Sequence, residues 1–253
     1  MEGELWWCGD PHGDFAPLID AAQVALRERR APGAVVLLGD LDLDAPLEQV
    51  LAPLIEAGIG VWWIVGNHDG DRAHWHDRLF GSALAENNLS GRVVALGGLR
   101  IAGLGGVFRE RIWYPPGAPR FATREDYLRT LAPQRRWRGG LPMRDRATLW
   151  WEDYAALWEC EADVLVTHEA PGCHHHGFTV LDELAESMGA RRIVHGHHHE
   201  GYCTTLANGI AVQGVGLAGV TALDGTVIKA GKLDRQRAGR WRGPSGNVKG
   251  DKR

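Results

Sequence analysis

Five short apolar runs in this chain end alike, and that repetition constrains the fold more than any other feature. Leu5–Cys8 runs into Gly9-Asp10-Pro11-His12-Gly13-Asp14. Ala34–Leu38 runs into Gly39-Asp40, and Gly60–Val65 runs into Gly66-Asn67-His68-Asp69. Asp163–Val166 is followed by Thr167-His168, and Arg192–Val194 by His195-Gly196-His197-His198-His199. Short apolar runs bounded by glycine read as buried strands. In open α/β sheets the carboxyl ends of strands form the ligand crevice. The pattern therefore delivers Asp, His and Asn side chains from five strands toward one edge, on glycine-rich loops that allow sharp turns.

The segments between these runs predict how the strands connect. Phe15–Arg30 and Leu47–Ala57 carry apolar residues at helical spacing, and Pro32-Gly33 and Gly58 stop them. A β-α-β-α-β opening argues for parallel strands with crossover helices. A short helix is expected near Arg72–Phe80, then a hairpin of Arg92–Leu96 and Leu99–Leu104 around Gly97-Gly98. Helices are expected at Thr148–Glu161 and Phe178–Met188. The chain then gives a hairpin of Tyr202–Leu206 and Ile210–Gln213 around Asn208-Gly209, and an edge strand at Thr226–Lys229. The expected architecture is α/β: two mixed sheets packed face to face with helices outside, a four-layer α/β/β/α sandwich.

At 253 residues the chain can form one large domain or two small ones, against a prior of roughly 150 residues per domain. The reading here is one domain over 1–234. Its apolar share of 44% and charged share of 24% suit a soluble globular protein. The longest apolar run, Gly58 to Gly66, is far short of the roughly 20 residues a membrane helix needs. The start lacks the basic residues and apolar stretch of a signal peptide. Cys8, Cys160, Cys173 and Cys203 form no C-x-x-C pair and read as free thiols of a reducing compartment, so the cytoplasm is expected.

The net charge of −4 hides a division. Arg109 to Arg146 holds ten arginines against four acids, and 235–253 holds seven basic residues against one acid. The rest of the chain is strongly acidic. The first basic segment reads as a cap inserted at about 106–147, and the second as a basic disordered tail. Arginine-rich loops are often merely solvated, but they also suit an anionic substrate.

The strand-end residues form a mixed imidazole, carboxylate and amide set. Such a set suits manganese, iron, zinc or nickel better than calcium or copper(I). Seven donors are too many for one catalytic ion with open positions. They suit two ions sharing a carboxylate, the arrangement that serves in-line phosphoryl hydrolysis.

The order D-x-H, G-D, G-N-H-D, H, G-H-x-H resembles the calcineurin-like metallophosphoesterases. It is carried by Asp10 and His12, Gly39-Asp40, Gly66-Asn67-His68-Asp69, His168, and Gly196-His197 with His199. The resemblance spans Asp10 to His199 and implies the calcineurin-like phosphoesterase fold. It implies two divalent ions, manganese first, with iron, zinc or nickel as alternatives. One would be held by Asp10, His12, Asp40 and His199, the other by Asp40, Asn67, His168 and His197. Asp40 would bridge them together with a water or hydroxide. His68 would be unligated and act as general acid or charge stabiliser toward the phosphate. The implied activity is hydrolysis of phosphate mono- or diesters, with a nuclease or cyclic-nucleotide phosphodiesterase as narrower forms.

Two departures bear on a Ser/Thr protein phosphatase, the named alternative. Phosphoprotein phosphatases carry G-D-x-x-D-R-G, whose second Asp orients the catalytic His, and they carry G-N-H-E. Here that second Asp position is Leu43 and no Arg-Gly follows. Asp42 and Asp44 have the wrong parity for it in an extended chain. The other block ends in Asp69 rather than Glu. A non-catalytic binding module of the same fold is the remaining alternative.

Other residues carry two readings each. Arg109 and Arg111 are candidate phosphate contacts, because guanidinium suits bidentate phosphate recognition. Trp113, Tyr114 and Trp137 either stack on a nucleotide or single-stranded nucleic acid, or anchor the cap. Trp62 and Trp63 read as sheet core. His74 and His76 read as helix surface, His174-His175-His176 as a solvated loop or a pocket rim, and His195 and His198 as neighbours of the ligands. The physiological substrate and the oligomeric state are not fixed by the sequence.

Overall fold

The computed structural model describes residues 4–234; the basic segment 235–253 lies outside the described residues. The strands in chain order are β1 (Leu5–Cys8), β2 (Ala34–Leu37), β3 (Gly60–Trp63), β4 (Arg92–Leu96), β5 (Leu99–Leu104), β6 (Val164–Thr167), β7 (Arg192–His195), β8 (Tyr202–Thr205), β9 (Ala211–Gly214), β10 (Val220–Ala222) and β11 (Val227–Lys229). They form a five-stranded sheet ordered β11-β10-β1-β2-β3 and a six-stranded sheet ordered β4-β5-β6-β7-β9-β8. In the first sheet β1, β2 and β3 run parallel. In the second, β5, β6, β7 and β9 run parallel, with antiparallel strands at both edges.

Strand alternation explains the layering. Successive side chains point to opposite faces of a sheet. In β1, Trp6 and Cys8 face one core while Leu5 and Trp7 face another. In β2, Val35 and Leu37 pair with the first set, and Ala34 and Val36 with the second. Both faces of these strands are covered, as parallel strands require. The shared core between the sheets brings Trp7, Val36 and Ile64 against Ile101, Val166 and Val194.

Helices close the outer faces. The first sheet is covered by α1 (Ala16–Arg27), α2 (Leu47–Val50), α3 (Ala52–Glu56) and α4 (Ala73–Phe80). The second is covered by α5 (Arg124–Thr130), α6 (Trp151–Trp158) and α7 (Thr179–Ser187). This is the expected four-layer α/β/β/α sandwich of two mixed sheets. No helix among the described residues is long and apolar enough to cross a membrane.

Local differences have local causes. The helix expected over Leu47–Ala57 is two short ones, because Pro53 starts a new helix after Leu51 instead of continuing the old. Of the run Gly60–Val65, the strand covers Gly60–Trp63; Ile64 still donates its N–H to the Leu37 carbonyl at 3.0 Å before the chain turns toward Gly66. Strand β10, which sequence patterning passed over, lies antiparallel to β1 and joins β11 to the first sheet.

The segment 106–147 is built around its own aromatic core. Phe108, Ile112, Trp113, Tyr127, Leu131 and Leu141 pack with Trp150, Tyr154 and Leu157 on the outer face of the second sheet. Its two ends reach the strand-end edge, through Phe108 and Arg109 and through Arg144.

Candidate metal centre

Backbone geometry first marks the strand-end loops as unusual. Asp10, His12, Asp40, His197 and His199 all hold positive φ, from 30° at Asp10 to 70° at His197. Left-handed backbone is costly for residues with a Cβ, and such strain concentrates at functional sites. The loops are also closely packed. A Cβ on Gly66 would lie 2.3 Å from both the backbone nitrogen and Oδ1 of Asp40, so only glycine fits there.

One carboxylate fastens two of these loops together. Asp69, buried, accepts from the backbone N–H of Asp40 at 3.1 Å, of Leu41 at 2.9 Å and of Gly66 at 2.7 Å. It thereby locks the loop after β2 to the loop after β3. The His68 N–H completes the link by donating to Asp40 Oδ1 at 2.8 Å. Asp10 does the same across the sheets, accepting from the His197 N–H at 2.8 Å.

The seven expected donors come together. Asp40 Oδ2 lies 3.7 Å from His12 Nε2 and 3.5 Å from His168 Nε2, between the two imidazoles. His12 Nε2 is 3.2 Å from His199 Nε2, and His168 Nε2 is 3.1 Å from Asn67 Oδ1. The outward nitrogens of both key rings are already used. His168 Nδ1 donates to the Leu38 carbonyl at 2.7 Å, and His12 Nδ1 donates to Asp42 Oδ2 at 2.7 Å. Those partners fix the tautomers and turn each Nε2 lone pair inward, as outer partners of metal-bound histidines do.

This arrangement fits divalent cations. His168 Nε2 faces an amide oxygen and a carboxylate, two acceptors that call for a positive charge on or beside that nitrogen. Asp10 Oδ1 is buried with no hydrogen-bond partner among the described residues. Burial, with the Asp40 charge behind it, pushes the Asp10 carboxyl up to about 7 against the pull of His168. Burial alone would discharge His168, yet Asp40 and Asp10 hold it up to about 10. A buried cluster with this excess of acceptors suits bound positive charge. Burial, then the His168 charge, lowers His197 to about 3, so its lone pair is available to an ion. Asp40, His168 and His197 place one ligand atom each within 4.8 Å of one another.

His68 stands beside this set rather than in it. Its side chain is 43% exposed, and its ring meets that of His12 edge-on at 5.1 Å. Its Nδ1 lies 3.0 Å from Asp71 Oδ2. Residues 68–70 form a single 3₁₀ turn, in which positions i and i+3 eclipse, so Asp71 falls directly beside His68. Arg144 Nε in turn holds Asp71 Oδ1 at 3.2 Å.

Asp71 was missed in the sequence, and its i+3 spacing was the available signal. Asp42 and Asp44 do not orient His68. Asp42 serves His12, and Asp44 sits on the surface, 3.8 Å from Arg78. Leu43, at the phosphatases' orienting position, is core.

A cleft of about 360 Å³ opens over His197 and Asn67. Phe108, Arg109, Asp71, Arg144 and Glu169 complete its walls. Arg109 is positioned by Nε donating to Thr148 Oγ1 at 3.0 Å. Arg111 does not line the cleft. It pairs with Asp145, a buried carboxylate that also accepts from the Tyr127 hydroxyl at 2.7 Å, so Arg111 braces the 106–147 segment. Trp113 is core, and Trp137 lies against Arg138, Arg146 and His76. Glu169, next in sequence to His168, is buried, accepts from the Phe108 N–H at 3.0 Å, and is pushed up to about 7 by that burial. Both Glu169 and Arg144 escaped sequence reasoning, because neither sits in a recurring block.

Comparisons with known proteins place the family and the fold. The family model described as calcineurin-like phosphoesterase matches residues 4–201. The chain belongs to the calcineurin-like phosphoesterase family, and so to the metal-dependent phosphoesterases. An uncharacterized protein of Haemophilus influenzae is 36% identical over 233 residues, covering 92% of this chain and 100% of that one. Among solved structures, a protein from Thermus thermophilus superposes with a TM-score of 0.53 at 14% identity, covering 87% of this chain and 94% of that one. A dimetal phosphatase from Danio rerio superposes with a TM-score of 0.51 at 13% identity, covering 91% and 93% respectively. At those identities the likeness is one of fold.

Proposed function

We propose that this protein uses a pair of divalent ions, manganese first, to hydrolyse compact phosphate mono- or diesters in the cleft beside His197. The reading is supported by one observation: seven donors from five strand ends gather at one edge, with the half-exposed His68 beside them. Asp10, His12, Asp40 and His199 would hold one ion, and Asp40, Asn67, His168 and His197 the other. When bound, such ions acidify water toward neutral pH and offset charge on the phosphate oxygens.

The chain's own residues supply the rest. Arg109 and Arg144 flank the cleft and orient phosphate oxygens. Hydrolysis breaks the ester P–O bond with water as nucleophile, and the departing alcohol oxygen needs a proton. Asp71, accepting from the Nδ1–H, orients His68 so that the Nε2–H of its protonated ring faces that oxygen and gives it the proton. The cleft is polar and compact, and the cap's Trp113 is committed to the core. That supports a small phosphate ester in preference to an extended single-stranded nucleic acid.

The test is turnover of p-nitrophenyl phosphate and bis-p-nitrophenyl phosphate by chelator-stripped protein, with Mn, Fe, Zn, Ni or Mg restored. Metal-restored turnover is expected, with His68→Ala losing far more on alkyl phosphate esters than on these p-nitrophenyl esters. Wild-type protein holding two ions but turning over neither these esters nor small sugar phosphates would overturn the catalytic reading in favour of a binding module.

A further inference from the structure

The histidines outside the expected ligand set are not scattered. His197 and His198 ring centroids lie 4.7 Å apart. His198 stacks on His174 at 4.1 Å and 18°. His174 meets His175 at 4.4 Å, and His175 meets His176 at 3.9 Å. His174 is buried, with Nδ1 accepting from the His176 N–H at 3.2 Å and Nε2 3.4 Å from Glu200. His175 and His176 are exposed. Imidazole rings thus run in contact from the surface to the centre.

Two groups of possible metal ligands lie on this line, and they share a member. Asp40, His168 and His197 form the inner group, while Glu169, His197 and His198 form an outer one, each with ligand atoms within 4.8 Å of one another. Glu169 Oε1 is taken by the Phe108 N–H, whereas Oε2 lies 3.8 Å from His197 Nε2. An outer carboxylate with two imidazoles matches the ligand preferences of zinc, nickel, cobalt and manganese.

We infer that Glu169, His197 and His198 form a loading station for a transition-metal ion, fed by the exposed His175–His176 pair and emptied into the inner position through the shared His197. The inference rests on the two-ion reading of the centre. Ligand exchange moves the ion: His197 stays bound while Glu169 and His198 are released and Asp40 and His168 take their places. Asp40 and His168 have almost no surface of their own, so donors that hold an ion beside His197 would speed its entry.

Cobalt(II) uptake by chelator-stripped full-length protein tests this, followed by stopped-flow absorbance and elemental analysis. Wild type is compared with His198→Ala, the double variant His175→Ala/His176→Ala, and His74→Ala as an exposed control on α4. All four should reach two ions per chain at equilibrium. Uptake should slow by about tenfold in His198→Ala, as for a barrier raised by about 1.4 kcal/mol, and by a smaller factor in the double variant. His74→Ala should match wild type. The double variant alters only exposed side chains, so it keeps the test decisive if His198→Ala misfolds. Two-ion binding with uptake rates equal within about twofold for all proteins overturns the loading station and leaves the two-ion centre standing. Wild type that binds no cobalt overturns both.

Discussion

Replacing Asp69 tests whether one carboxylate fastens the two loops that carry Asp40 and Asn67. Its side chain is 2% exposed and receives three backbone N–H groups, from Asp40, Leu41 and Gly66. Asp69→Asn keeps shape but converts one oxygen into a donor. If the amide oxygen keeps the Oδ2 position, it retains the bonds from Asp40 and Gly66. The amide NH₂ then meets the Leu41 N–H, formerly 2.9 Å from Oδ1. One buried donor loses its partner, which costs about 2 kcal/mol. Asp69→Ala strands all three donors and should cost about 3 to 6 kcal/mol. In a protein of this size 2 kcal/mol lowers Tm by roughly 4 to 8 °C. The assay is thermal unfolding in chelator, which removes metal stabilisation, with Asp44→Asn as a control at a side chain 97% exposed. A Tm for Asp69→Asn indistinguishable from wild type would refute the fastening role.

Three further outcomes are expected. Asp71→Asn should lower kcat by about 10- to 100-fold on alkyl phosphate esters and far less on p-nitrophenyl esters, whose leaving group needs no proton; equal losses on both would mean a structural role. Gly66→Ala forces Asp40 to move, so elemental analysis should find fewer than two ions per chain, and a full complement would show that the loop yields easily. His76 is held below the usual histidine range by burial and then by Arg146, so it contributes stability above about pH 6.5 that is lost as pH falls below it. His76→Phe should flatten that acid limb in urea titrations across pH 7 to 5, and an unchanged slope would place the acid sensitivity elsewhere.

Much of the fold was legible because both periodicities were clear. β1 and β2 alternate between two cores, and Leu18, Ala22 and Ala25 recur at helical spacing. The candidate ligands stood out in the sequence because each sits just past a strand, all but His168 behind a glycine that breaks the pattern. Pairing partners were less so. β10 is short and lies between Gly219 and an exposed turn, so only its long-range ladder with β1 identifies it. The residues that orient others were also hidden. Asp71 acts through a 3₁₀ turn and Asp42 through a left-handed backbone, and neither conformation is read from strand parity. Arg111 and Arg144 look alike in sequence. Their difference lies in Asp145, which is buried and takes one, and Asp71, which borders the cleft and takes the other.

The centre draws Asp10, His12, Asp40 and Asn67 from the first sheet and His168, His197 and His199 from the second. In the proposed two-ion centre, the gap between the sheets would also be the distance across which the ions are held. Ions that bind this folded arrangement and not the unfolded chain would stabilise it by mass action, riveting two layers whose shared core is apolar contact. Side chains with no view of the substrate, such as Val36, Ile101 and Val166, would then set ion affinity through the spacing they enforce. Trimming one of them would open the rivet before it disturbed any residue of the cleft.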